Sequence, residues 1–131
     1  MPYENPTRVS YNFGSHDFGA GAGAHAVKPP KGKKMGRVVD IHLSPITETF
    51  TQTTTPGYVR VGTTGDPDKY AELNCGAAAA TDAYNLADAG SVNSNIDLTA
   101  DSISQVEVTF VAPTGGTPAG IAVVTLVVDW F

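Results

Sequence analysis

From residue 38 onward, apolar and polar positions alternate with a period of two. Val39, Ile41 and Leu43 alternate with Asp40, His42 and Ser44 until Pro45 interrupts, and the threonine-rich run at 47–55 carries Phe50 among β-branched neighbours. Both segments read as strands. Tyr58, Val59, Arg60 and Val61 form a third, closed by Gly62 and followed by the turn residues Gly65, Asp66, Pro67 and Asp68. Residues 104–112 put Val106, Val108 and Phe110 on one face and Gln105, Glu107 and Thr109 on the other. After a Pro- and Gly-rich loop at 113–120, residues 121–131 return as a long, almost wholly apolar strand, and these last two segments predict an antiparallel pair. The unbroken hydrophobicity of the final strand predicts a central position or a second face in a subunit contact. Only residues 70–86 allow helix, and no more than a short helix or turn, because Ala71, Glu72, Leu73 and the alanines at 77–80 favour it while Asn74 and Gly76 oppose it. Short strands parted by Gly, Pro, Asp and Thr loops predict an all-β, antiparallel β-sandwich.

The first 37 residues depart from this pattern. Pro2, Pro6, Pro29 and Pro30 stiffen them locally and Gly14, Gly19, Gly21, Gly23, Gly32 and Gly36 loosen them, so no helix is expected. Yet Tyr3, Val9, Tyr11, Phe13 and Phe18 are large apolar side chains, and Val9, Tyr11 and Phe13 alternate like a short strand with one face to bury. A purely solvating tail would be poor in aromatics. The reading is an extended N-terminal arm over 1–37 on a sandwich body over 38–131. In it, residues 1–18 pack on a neighbour or add a strand to one, 19–26 are a Gly-Ala spacer and 27–37 a basic hinge.

Charge sharpens the division. Arg8, Lys28, Lys31, Lys33, Lys34 and Arg37 against Glu4 and Asp17 leave residues 1–37 at +4, while two cations against eleven carboxylates leave the rest at −9. Such asymmetry speaks to association more than to fold. The lysine run could grip phosphates by counterion release, but the acidic body repels a polyanion and no base-reading fold is evident. An acidic protein surface is the expected partner, not nucleic acid. The longest apolar run is well short of the roughly 20 residues a membrane helix needs, so no membrane partner is expected. The polar first residues lack the apolar core of a secretory signal.

Candidate chemistry is sparse. Cys75 is the only cysteine, which precludes an intrachain disulfide, and its Gly and Ala neighbours mark it as a small buried hydrophobe. His16 and His25 fall in the arm, and His42 on the polar face of a strand has no nucleophile elbow or comparable signature to pair with. Asp66 and Asp68 could supply two oxygens to a cation but lack the further ligands of a calcium loop, so they read as turn formers. The glycines at 19, 21 and 23 have no strand before and helix after them to make a phosphate loop. No enzyme activity, metal or cofactor is expected.

Three stretches carry a resemblance: Gly36 to Leu43; the threonine-rich strand running into Tyr58 to Thr63 with Asp66 to Tyr70 after it; and the loop from Ala112 to Gly120 with its hydrophobic last strand. In strand rhythm they resemble the small jelly-roll cement or decoration proteins of tailed bacteriophage capsids. The resemblance implies a virion structural protein on the outer capsid surface, made in the host cytoplasm. It implies a homodimer or trimer that clamps the major capsid protein and has no catalytic activity. Partner-binding residues are then expected in the arm: Tyr3, Arg8, Tyr11, Phe13, Phe18, Lys28, Lys31, Lys33, Lys34 and Arg37. Deleting residues 1–35 is expected to leave a folded body that binds capsids poorly. The rival reading is a small β-sandwich carbohydrate-binding module of a phage fibre or baseplate, with Tyr58, Tyr70, Tyr84 and Trp130 as aromatic platforms.

Overall fold

The computed structural model describes residues 6–101 and 106–131. It is an antiparallel sandwich of two five-stranded sheets. Ten strands run in chain order: β1 (Thr7–Asp17), β2 (Gly23–Val27), β3 (Met35–Thr51), β4 (Tyr58–Gly62), β5 (Ala71–Asn74), β6 (Tyr84–Asn85), β7 (Gly90–Val92), β8 (Ile96–Asp97), β9 (Val106–Val111) and β10 (Ala119–Trp130). Two single-turn helices, α1 (Leu86–Ala89) and α2 (Leu98–Asp101), sit between late strands. The first sheet has the order β1-β10-β3-β6 with β8 also on β3, and the second β2-β9-β4-β5-β7. First pairs with last, second with penultimate, third with sixth and eighth, and fourth with fifth. That nested set is a long hairpin rolled up into two sheets, the jelly roll.

Alternation explains the core. Ile41, Leu43, Val124, Leu126 and Val128 of the first sheet face Val59, Val61, Leu73, Val106, Val108 and Phe110 of the second, and all are buried. β10 lies between β1 and β3, the central position its hydrophobicity predicts. Gly36 on β3 is dictated by Trp130 opposite it, since a Cβ there would lie 2.7 Å from the indole ring.

Three expectations are corrected. The extended arm is not found in residues 6–37: β1 pairs with β10 over its length and β2 pairs with β9. Phe18 is fully buried, with its ring 5.0 Å from Phe50 and 5.5 Å from Phe110. The alternation of Val9, Tyr11 and Phe13 does add a strand to a sheet, but the sheet is the chain's own. The boundary at 37 also falls inside β3, so residues 1–37 and 38–131 are not separable. Residues 71–74 are strand, because Ala71 and Leu73 are buried against Val61 and Val59 in β4, and such packing overrides helix propensity. Finally, β9 and β10 are not a hairpin but lie in different sheets. The connection at 112–118 crosses the sandwich, pinned by a bridge between Thr55 and Thr114 and turned at Gly115 and Gly116, whose φ angles are +91° and +68°.

Candidate partner-binding surface

The pairing register brings four chain segments to one end of the sandwich: the start of β1, the loop at 28–34, the start of β3 and the end of β10. The loop is a fixed platform, not a free hinge. Tyr11 donates its hydroxyl hydrogen to the Lys28 carbonyl at 3.1 Å, and Trp130 Nε1 donates to the Tyr11 oxygen at 2.9 Å. Burial pushes the Tyr11 phenol above its ordinary value of 10.0, against the smaller effect of the Trp130 bond, so it stays a donor. The Lys33 amide bonds the Pro30 carbonyl at 3.1 Å around Gly32, whose φ is +83°. The amides of Lys34 and Met35 reach the Phe131 carbonyl at 3.4 and 3.0 Å, and the Lys34 carbonyl accepts from Leu98 at 3.0 Å.

On this platform Lys28, Lys31 and Lys34 are exposed and Lys33 half-buried. Arg8 and Arg37 flank Asp129 in register on the outer face of the first sheet. Arg8 Nε and Nη2 hold the two carboxylate oxygens at 2.8 and 3.0 Å, and Arg37 Nη2 stands 3.6 Å away. The side chains of both arginines are 61% exposed, that of Asp129 only 5%. The carboxylate is therefore roofed by two guanidinium groups. The Arg8 hydrogen bonds hold it below its ordinary value of 3.8, outweighing the burial that opposes them. One positive charge of the pair is left over, beside four lysines and the exposed ring of Phe131. Asp129 and Phe131 were missed from sequence, although a lone carboxylate in an otherwise apolar central strand demands a cationic partner.

The remaining expected site residues divide by burial. Phe18 is in the core and can touch no partner. Tyr11 and Phe13 are half-buried at the flank, Phe13 stacked on His25 at 4.9 Å and edge-on to Phe110 at 6.0 Å. Tyr3 lies outside the described residues. Cys75 is buried, its thiol pushed up to about 12 by burial, which makes it the inert hydrophobe expected. His42 has Asp40 Oδ2 3.4 Å from its Nδ1. Asp66 serves a turn: its amide bonds the Thr63 carbonyl at 3.2 Å and the Thr63 hydroxyl at 3.1 Å. Among the described residues no group of three His, Cys, Asp or Glu side chains could hold a metal ion, and no helix is long and apolar enough to cross a membrane.

The aromatic platforms fare poorly. Tyr70 and Trp130 are fully buried and Tyr84 is 6% exposed. The ring of Tyr58 is covered by Arg60, whose Cζ stands 4.5 Å from the ring centre while its Nε bonds Glu72 at 2.6 Å. At the opposite end from the basic platform, a cleft of about 400 Å³ opens between the loops that follow β3 and β5, lined by Gln52, Thr53, Thr54, Asn74 and Tyr84 among others. The buried Gln52 Oε1 in it has no hydrogen-bond partner among the described residues. No family model, no curated protein and no solved structure matches the chain.

Proposed function

We propose that this chain is a virion structural protein, a cement or decoration protein that binds the major capsid protein shell of a tailed phage from outside and stabilises it. It acts as a homodimer or trimer, without catalysis, cofactor or nucleic acid. The observation that carries the reading is the hydrogen-bonded basic platform, in which exposed Lys28, Lys31, Lys34, Arg8 and Arg37 share one end of a jelly roll with an exposed phenylalanine. A surface of this kind suits an acidic lattice. Charge complementarity steers the encounter, and repetition of weak contacts in an oligomer raises occupancy by avidity. The body's remaining negative charge keeps such a protein off nucleic acid.

The test is co-sedimentation with expanded capsids of the phage that encodes the chain, quantified by gel densitometry. Wild type saturates at a fixed ratio to the major capsid protein. The Lys28→Glu/Lys31→Glu/Lys34→Glu variant melts like wild type and binds at least tenfold more weakly, because three positive charges on the platform are reversed in sign. Wild-type occupancy of the triple variant sinks the reading.

A second reading, a carbohydrate-binding module, is favoured by the cleft lined by the polar side chains of Gln52, Thr53, Thr54 and Asn74, since such groups exchange hydrogen bonds with sugar hydroxyls. It predicts saturable binding on a glycan array that Gln52→Leu abolishes. A blank array removes it.

A further inference from the structure

The sandwich has four places where a sheet ends, and three of them are short. β6 and β8 are two residues each, β7 three and β2 five, whereas β1 runs for eleven. Among the described residues β1 has a strand on one side only. No residue of it is buried, and its inward-facing Val9, Tyr11 and Phe13 are only partly covered by the core. An open edge of that length is a template for another strand unless short length, proline, lysine or inward charge blunts it. Between Arg8 and Asp17, β1 carries none of these devices except a bulge, where the register shifts between Asn12 and Ser15 at Gly14, whose φ is +75°.

The charges on β1 also complement their own copy. Arg8, which holds Asp129 through Nε and Nη2 and is still 61% exposed, stands near its start and Asp17 at its end, both on the outer face, with Ser10, Asn12 and Ser15 between them. An antiparallel partner of the same sequence sets Arg8 beside Asp17 at both ends, whereas a parallel one sets like beside like. We infer that the β1 edge is the dimer contact of this chain: β1 of one copy pairs antiparallel with β1 of a second about a twofold axis at Asn12. The two first sheets then join into one continuous sheet. In this register Tyr11 faces Phe13 of the other copy and, beyond the bulge at Gly14, which takes up one residue, Ser10 faces Ser15 and Val9 faces His16. The pairing covers the partly open flank where Phe13 and His25 stack. The inference gives a place to the self-association in the function proposed above and is independent of the capsid.

The experiment is sedimentation velocity of the full chain, without capsids, for wild type, Asn12→Asp, Asn12→Lys and an equimolar mixture of the two variants. Asn12→Asp keeps an acceptor for the Gly14 amide, whose hydrogen bond Asn12 Oδ1 accepts at 2.8 Å, and circular dichroism checks that both variants fold. The expected result is a dimeric wild type, a dissociation constant raised about fivefold in each variant by like charges facing across the axis, and recovery in the mixture as a heterodimer. A wild type that is monomeric at about 100 µM, well above the micromolar range of a working interface, overturns the inference and leaves the edge to a strand of another protein. A trimeric wild type, or a dimer indifferent to both substitutions, overturns it too. None of these results bears on capsid co-sedimentation, so the two proposals fail separately.

Discussion

β1 and β10 run side by side through the first sheet, yet they hold opposite positions in the energetics of the molecule. β10 has a strand on either side and buries Ala122, Val124, Leu126, Val128 and Trp130, while no residue of β1 is buried. Two neighbours and two covered faces make a strand part of the core; one neighbour and one half-covered face make it a surface that still has hydrogen bonds and apolar area to offer. The segment containing β1 nonetheless cannot be dispensed with. Just past β1 it sends Phe18 into the interior and at the end of β2 it sends Val27 there, so the segment is anchored at those two points.

The harshest challenge to this contrast is removal of residues 1–34, which takes away β1, β2 and both buried anchors and leaves β10 and β9 with open edges. The truncated protein is expected to show no cooperative melting transition by circular dichroism; a sharp transition would restore the separable arm. Next in size, Phe18→Ala should cost about 3–5 kcal/mol in urea unfolding, the usual range for a buried phenylalanine, and Phe13→Ala on the half-open flank about half as much. Equal costs would erase the difference between anchor and edge.

A milder probe acts where the two strands are tied together by Asp129 and Arg8. Asp129 has its folded-state value depressed, so its contribution is present above the unfolded value near 3.8 and is lost as pH falls toward and through the lower folded value. Asp129→Asn should therefore be less stable than wild type at pH 7, with the gap in urea midpoint closing below about pH 4. A gap that does not narrow at all between pH 4 and pH 2 would show that the carboxylate acts through packing alone. The smallest effect is expected at Cys75, whose thiol burial pushes up to about 12. Ellman's reagent at pH 8 should leave the folded chain unlabelled and react only as urea unfolds it.

Legibility from sequence follows the same contrast. β9 and β10 were readable because Val106, Val108, Phe110 and the residues after Ile121 need burial wherever they are placed. Which strand they pair with was not, because sequence neighbours usually make hairpins and a jelly roll makes its connection at 112–118 across the sheets. The strand character of Val9, Tyr11 and Phe13 was visible, but a period of two does not say whose sheet receives it. Ala71 and Leu73 carry helix-favouring identities and are strand because β4 lies beside them. Lys28, Lys31, Lys34, Arg8 and Arg37 were legible as a cationic set from count alone. Their gathering on one platform depends on hydrogen bonds from Tyr11 and Leu98 and to the Phe131 carbonyl that no spacing announces.

Nesting of the strand pairs also has a consequence for how the chain is made. The innermost pair, β4 with β5, needs only residues 58–74, whereas β1 waits for residues 121–130 to leave the ribosome. At about 5–20 residues per second, residues 7–17 spend on the order of ten seconds without the strand they belong to. Glycines at 14, 19, 21 and 23 and the lysines that follow make poor aggregation seeds during that wait. The composition that imitates a linker is, on this view, a gatekeeper for a strand that must arrive first and be paired last.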